Sequence, residues 1–346
     1  MRVLLLSDTH IGLDMPARPR VDRRRRGPDF VANLKRALAP ALRGEVDLVV
    51  HAGDLFDTHK VSASVAKLAY DALGEVAEAG VPVVITPGNH ERSELPHSFL
   101  ATRRNVHLFA GPSTFECEVD GVHVAVAGFP FQRRFDRETV PGLVRATGVQ
   151  HVPAGIKLLV VHQAVEGAQV AAWDYTFRPG KDVLAGNDVP RGFAAILGGH
   201  IHRRQILTVD LRGRPLPAPV VYPGSIERVS FAERYEEKGF ARLVFTPDDD
   251  GGRLAEAVFE PLPTRPMVVV RIRAQGLSGP DLKEVIATRL AALDPDSVVR
   301  LKVEGPLTPG GVRALTAAQV RALGPATMNV SLPRASTRKN RAPAYA

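Results

Sequence analysis

The stretch Phe193-Ala194-Ala195-Ile196-Leu197-Gly198-Gly199-His200-Ile201-His202 decides the fold. Its apolar run, Phe193 to Leu197, reads as a buried strand. Two glycines then let the backbone turn sharply. His200 and His202, one residue apart, point to the same side if the backbone stays extended. Alone, the stretch fits equally well a turn carrying two solvated histidines. The same construction, an apolar run ended by oxygen or imidazole donors, occurs four more times. Val3 to Leu6 ends in Ser7-Asp8-Thr9-His10. Val46 to Val50 ends in His51-Ala52-Gly53-Asp54-Leu55-Phe56-Asp57. Val81 to Ile85 ends in Pro87-Gly88-Asn89-His90-Glu91, and Ile156 to Val161 in His162-Gln163.

Helical patterns lie between the first of these runs. Asp29 can cap a helix in which Phe30, Leu34 and Leu38 share a face. Ser62 or Ser64 starts another, with Val65, Leu68, Ala69 and Val76 on one stripe and Gly80 at its end. Strand, polar site, helix, strand predicts a layered α/β fold with ligands at the carboxyl ends of the strands. The chain then turns β-rich, and Asp120-Gly121 between two alternating runs predicts a hairpin. Composition shifts at Pro261-Leu262-Pro263-Thr264-Arg265-Pro266, which reads as a linker. Beyond it come a strand from Met267 to Ile272 and a helix from Asp281 to Leu293 with Leu282, Val285, Ile286 and Leu290 inward. A half-buried strand through Val299, Leu301 and Val303 follows. A helix opening at Thr308-Pro309 and a closing strand through Met328, Val330 and Leu332 complete this part. The expected division is a large domain over 1–262, a small α/β domain over 263–333, and a basic, disordered tail over 334–346.

The chain has 346 residues, 45% of them hydrophobic and 24% charged, with a formal net charge of +8. That excess of cations suits a polyanionic partner such as nucleic acid, and is equally what an Arg-rich proteome would give. Cys117 is the single cysteine, which excludes an intrachain disulfide and a thiolate metal cluster. Strand pattern begins at Arg2 and no apolar run is long enough to span a bilayer. The expectation is a cytoplasmic protein without signal peptide or membrane contact.

Together the strand ends supply Asp8, His10, Asp54, Asn89, His162, His200 and His202. Oxygen and imidazole donors without sulfur suit Mn²⁺, Fe²⁺ or Zn²⁺ rather than Ca²⁺. The set is too large for one catalytic ion that keeps an open position, and about right for two ions sharing a carboxylate. Two ions roughly 3.5–4 Å apart can activate water near neutral pH and neutralise a phosphate during in-line attack.

Asp8-Thr9-His10, Gly53-Asp54, Gly88-Asn89-His90-Glu91, His162 and Gly199-His200-Ile201-His202 resemble, in order and type, the signature of the calcineurin-like metallophosphoesterases. Within that superfamily the chain looks like the SbcD-type DNA repair nucleases. Asp8-Thr9-His10-Ile11-Gly12, Gly53-Asp54-Leu55-Phe56-Asp57, Tyr222-Pro223-Gly224-Ser225 and Lys238-Gly239-Phe240 carry that closer likeness. The resemblance implies an α/β/β/α sandwich with a small C-terminal α/β capping domain. It also implies roles. Asp8, His10 and His202 would hold one metal ion, Asn89, His162 and His200 the other, and Asp54 would bridge them, with Mn²⁺ the foremost ion. His90 would protonate or stabilise the leaving oxygen, and Glu91 would orient His90. Asp57 stands where some relatives carry a histidine near the substrate.

DNA is the implied substrate, a homodimer through the helix Ser64 to Glu78 the implied assembly, and an SbcC-type ATPase the implied partner. The chain after Leu332 is short and lacks the amphipathic pattern by which relatives grip that ATPase. Arg23 and Arg24 in the Arg23–Arg26 run, Arg133, and Arg271, Arg273, Arg300 and Lys302 are candidates for phosphate contact. His51 reads as a packed core histidine. Two rival readings are a phosphoesterase acting on a small molecule and a binding scaffold on an inactive phosphoesterase fold. The retained ligands and His90 oppose the second.

Overall fold

The structure is a computed structural model that describes residues 1–19, 22–92, 94–95, 103–170 and 175–332. The tail 334–346, expected to be disordered, lies outside the described residues. The chain divides into two compact units, Met1–Met15 with Gly27–Pro263, and Pro16–Arg26 with Thr264–Ala346. The segment Pro16–Arg26 thus belongs with the C-terminal part, not with the large domain in which the sequence placed it.

The first unit is built on two six-stranded sheets. One runs Arg253–Leu262, Lys238–Thr246, Arg2–Leu6, Leu48–His51, Val83–Ile85, Val106–Leu108 in spatial order. The other runs Gln205–Val209, Pro215–Tyr222, Ala195–Gly199, Ile156–His162, Val122–Gly128, Ser113–Val119. Strands buried on both faces read as unbroken apolar runs, and their alternate residues go to different layers. Val3, Leu5, Val50 and Val84 of the first sheet meet Val126, Leu158, Val160 and Leu197 of the second between the sheets. Leu4, Leu6, Val49 and Ile85 face outward into a layer with Phe30, Leu34, Leu38, Leu73 and Val76 of the helices Gly27–Leu42 and Ala63–Glu78. The outer face of the second sheet packs with Phe129, Phe135 and Val140, beside the helix Val140–Thr147. These layers are the expected α/β/β/α sandwich.

Two local expectations shift. Asp29 sits in the first turn of its helix instead of capping it. In the helix Ala63–Glu78, Ser62 is the cap and accepts from the Val65 N–H. The buried stripe there is Ala66, Ala69, Tyr70, Leu73, Val76 and Ala77, while Leu68 is exposed. The hairpin forms as expected: Val119 pairs with Val122, and both Asp120 (φ 50°) and Gly121 (φ 77°) are left-handed, as a type I′ turn requires.

The parallel strands Arg2–Leu6, Leu48–His51 and Val83–Ile85, in register through Leu6 and His51 and through His51 and Ile85, end at one edge. Ile156–His162 and Ala195–Gly199 are likewise parallel and in register, with His162 opposite Gly199. All five donor-bearing loops leave from these carboxyl ends.

The second unit has a three-stranded parallel sheet ordered Met267–Arg273, Val298–Glu304, Asn329–Ser331. Val270, Ile272, Val299 and Leu301 pack on Leu282, Ile286 and Leu290 of the helix Gly279–Ala291. The single helix expected after Thr308 is two short ones, Pro309–Ala314 and Ala317–Ala322, each with its own threonine cap. The buried Arg265 side chain donates to the carbonyls of Asp296 and Thr327 and to the Asn329 side chain, all at 2.6 Å.

Candidate metal centre

The first loop leaves its strand with Asp8 (φ 52°) and His10 (φ 44°) in left-handed backbone. That conformation is strained for residues with a Cβ and persists only where the surroundings enforce it. Here the second loop enforces it. The N–H groups of Asp8, His10 and Ile11 donate to the carbonyls of Gly53, Asp54 and Leu55 at 2.9–3.0 Å. Beneath them the buried His51 links the same loops. Its Nδ1 accepts from the Gly53 N–H, so Nε2 carries the proton and donates to Thr9 Oγ1, which donates to the Leu55 carbonyl. Burial pushes His51 down to about 4, consistent with a neutral ring. It is a core histidine with a structural task.

Asp54 lies at the middle of the cluster. Its Oδ1 accepts from the His90 N–H at 3.0 Å. Its Oδ2 is 3.3 Å from His162 Nε2 and 3.9 Å from both His10 Nε2 and His90 Nε2. The approach needs a glycine opposite, because a Cβ on Gly88 would sit 2.1 Å from Asp54 Oδ1. On one side Asp8, His10 and His202 converge, with His10 Nε2 3.1 Å from His202 Nε2 and Asp8 Oδ1 3.6 Å from it. On the other, Asn89 Oδ1 is 3.1 Å from His162 Nε2 and 3.0 Å from His200 Nδ1. The His200 N–H donates to Asp8, which ties the two sides together. All seven donors singled out in the sequence therefore meet in one cluster.

The electrostatics follow from these distances. Burial opposes charge on His162, but Asp54 and Asp8 outweigh it and push the ring up to about 9. Burial and the neighbouring His162 push His200 down to about 4. Burial disfavours ionised Asp54, yet the surrounding imidazoles hold its carboxyl far below the usual range. His162 Nδ1 donates to the Ala52 carbonyl at 2.7 Å, which leaves Nε2 facing two oxygens. His10 Nδ1 is buried without a hydrogen-bond partner. Nitrogens and oxygens aimed at one another in this way fit divalent cations between them, and the absence of sulfur sets aside thiophilic ions.

His90 lies beside the cluster, its ring edge-on to His10 at 4.7 Å between centroids. Its orientation differs from expectation. His90 Nδ1 is bonded to the Asp57 main-chain carbonyl at 2.7 Å, not to Glu91. The Glu91 carboxylate accepts instead from the Phe56 and Gly88 N–H groups, both at 2.7 Å, and so joins the second and third loops. Burial and then the charge of Asp54 push the Glu91 carboxyl up to about 8. The Asp57 side chain lies 3.6 Å from His10 Nδ1 and forms a third donor group with His10 and His90.

Sequence reading missed Glu233. Its Oε1 is 3.3 Å from His202 Nδ1 and its Oε2 is 2.8 Å from the buried Lys238 Nζ, which also donates to the His202 carbonyl. Burial opposes ionisation of Glu233, but Lys238 and His202 hold it well below the usual carboxylate range. The carboxylate thereby fixes the His202 tautomer and turns Nε2 toward the cluster. Ser230-Phe231-Ala232-Glu233 forms a capping box, a signal legible in the sequence that would have located this residue.

The phosphate-contact candidates separate. Arg23 donates to the main-chain carbonyls of Met328, Gly324 and Arg321. Its guanidinium closes the end of a helix. Arg24 pairs with Asp296 at 2.9 Å. Arg271 and Arg273 of one strand, and Arg300 and Lys302 of the next, share the sheet face opposite the core of their unit. Arg133 is exposed two residues beyond Phe131, whose ring centroid lies 6.0 Å from that of His200.

Comparison with known proteins places the chain. Residues 1–204 match the family model described as calcineurin-like phosphoesterase. The chain belongs to that family. Its relatives include the DNA double-strand break repair protein Mre11 of Haloferax volcanii, 30% identical over 90% of this chain and 64% of that protein. The SbcD component of the nuclease SbcCD from Rhodobacter capsulatus is 27% identical over 91% of this chain and 80% of that protein. Its counterpart in Bacillus subtilis is 27% identical over 74% and 68%. The chain spans between about half and two thirds of the length of the Mre11 relatives from Haloferax volcanii and Methanopyrus kandleri, at 64% and 56%. No described helix is long and apolar enough to cross a membrane.

Proposed function

We propose that this chain is a DNA phosphodiesterase of the Mre11 and SbcD type that works with two divalent ions, Mn²⁺ foremost. One observation carries the reading: a single carboxylate, Asp54, stands among His162, His10 and His90, with Asp8 and His202 on one side and Asn89 and His200 on the other. In this reading Asp8, His10 and His202 hold one ion, Asn89, His162 and His200 the second, and Asp54 both. When bound, such a pair neutralises charge on a phosphate and activates water for in-line attack. The chain's own residues supply the rest. The Asp57 carbonyl holds the His90 Nδ1 proton, so a protonated His90 presents Nε2–H toward the cluster and gives it to the leaving oxygen. Phe131 walls the side of His162 and His200. A cytoplasmic location, a homodimer through the helix Ala63–Glu78 and an SbcC-type ATPase partner belong to the same reading.

The test is Mn²⁺-dependent digestion of end-labelled duplex and hairpin DNA beside bis-p-nitrophenyl phosphate. Cleavage of both classes is expected, with His90→Ala retaining two ions by elemental analysis and losing about 10²–10⁴-fold in rate. Hydrolysis of the small ester alone would overturn the DNA assignment. An emptied metal site in His90→Ala would overturn the role of His90.

A further inference from the structure

A cavity of about 740 Å³ is lined by Arg203, Arg204, Arg234, Tyr235, Glu236 and Glu237, with Ala232 between them. One of its walls begins one residue from a donor of the cluster, and another one residue from that donor's partner. Arg203 follows His202, and Arg234 follows Glu233, the carboxylate that holds His202. Tyr235 is 83% exposed, against 59% for Val312, the next most exposed large hydrophobic among the described residues. Its ring is not loose. The Arg234 guanidinium lies 4.4 Å from the ring centroid and donates to the Phe231 carbonyl at 2.9 Å. One face of the ring is thus covered by a fixed cation and the other is left to solvent.

The charges around the cavity are mostly accounted for. Arg204 pairs with Glu237 at 2.7 Å and lies over the Phe259 ring. Glu236 pairs with the buried Lys238 at 2.8 Å. Among the described residues Arg203 has no carboxylate partner. A half-buried cation next to a metal ligand and an aromatic platform backed by a second cation are what an unpaired nucleotide requires: a phosphate contact and a stacking surface. Bases in the interior of a duplex are stacked on both faces and could not use the ring, which suits an unpaired base.

We propose that this cavity seats an unpaired segment of a nucleic-acid strand, with one base stacked on Tyr235 and an adjacent phosphate on Arg203. The proposal rests on the DNA reading above and adds a place for a frayed or overhanging end.

The test measures binding by the full chain, in EDTA so that no cleavage occurs, to blunt duplex and to duplex with a single-stranded overhang. The overhang carries 2-aminopurine as a stacking reporter, and an abasic site is walked along it. Tyr235→Ala should weaken overhang binding by about 5- to 150-fold, the worth of one stacked base, and abolish the fluorescence quench. Tyr235→Phe should keep both. At one position the abasic site should weaken wild type as much as Tyr235→Ala does and add nothing to that variant, because both remove the same contact. Arg203→Ala should lower the slope of log affinity against log salt by about 0.7. Additive losses at every position, with the quench retained in Tyr235→Ala, would overturn the stacking proposal while leaving the DNA reading intact. A wild-type chain that binds neither duplex nor overhang would overturn the DNA reading itself, and this proposal with it.

Discussion

The carboxyl edge of the first unit and the outer sheet face of the second use charge in opposite ways. At the edge, the donors are mostly buried and four of them are held from outside the ligand set. Asp8 accepts from Ser7, Asp54 from the His90 N–H, His162 donates to the Ala52 carbonyl, and His202 faces Glu233. On the sheet face, Arg271 makes one exposed pair with Glu304 at 2.8 Å, and Arg273 and Lys302 project into solvent. Exposed pairs of this kind contribute about 0–1 kcal/mol and are screened by salt. The edge is preorganised, so a lost atom should change what it can hold. The face is a reservoir of charge, so a lost side chain should change affinity by degrees.

The strongest way to break the comparison is at the edge. Asp54→Ala removes the carboxylate at the middle of the cluster. Metal content should fall from two ions, and hydrolysis should drop by at least about 10²–10³-fold, the usual loss when one preorganised electrostatic group is removed. Two ions per chain in that variant, by elemental analysis, would show that Asp54 is not shared. A smaller effect is expected one layer out. Glu233→Gln keeps the shape but takes away the charge that fixes His202, and should weaken Mn²⁺ binding by about 10–100-fold in calorimetry. Unchanged affinity would mean that Lys238 and the main chain suffice to orient His202. The smallest effects belong to the sheet face. Arg271→Ala and Lys302→Ala should each lower the salt slope of duplex binding by about 0.9, if each neutralises one phosphate, with ion content unchanged. A slope that does not move would take that face out of the DNA contact.

Most of the candidate metal cluster was legible because each donor follows an apolar run, and an apolar run fixes where a strand ends. Asn89 and His162 were readable for the same reason as Asp8. What was not legible came from contacts distant in sequence or from the phase of a turn. Glu91 follows His90 directly, yet the third loop turns the two side chains apart, and the Asp57 carbonyl takes the place assigned to Glu91. Leu68 was put on the buried stripe because Ala66 and Ala69 offer little hydrophobic contrast in an alanine-rich helix. Arg23 sits in a run of like charges without periodicity, and its acceptors lie 298 to 305 residues away. Nothing local marks such a contact.

That last contact bears on how the molecule can be cut. The small unit is not one continuous stretch of chain: Arg24 donates its N–H to the Ala326 carbonyl and accepts from Asn329 Nδ2, in the same stretch that holds the three acceptors of Arg23. A fragment starting at Thr264 leaves behind the plug that closes its last helix, and a fragment ending at Pro263 carries that plug with no socket. Neither cut isolates a natural module. A cleaner separation would join Pro16–Arg26 to the Thr264 segment by a short linker and close the gap between Met15 and Gly27 directly. Gly27 suits that splice, since its α-carbon already packs so closely on Met15 that an added Cβ would lie 2.8 Å from the Met15 Cβ.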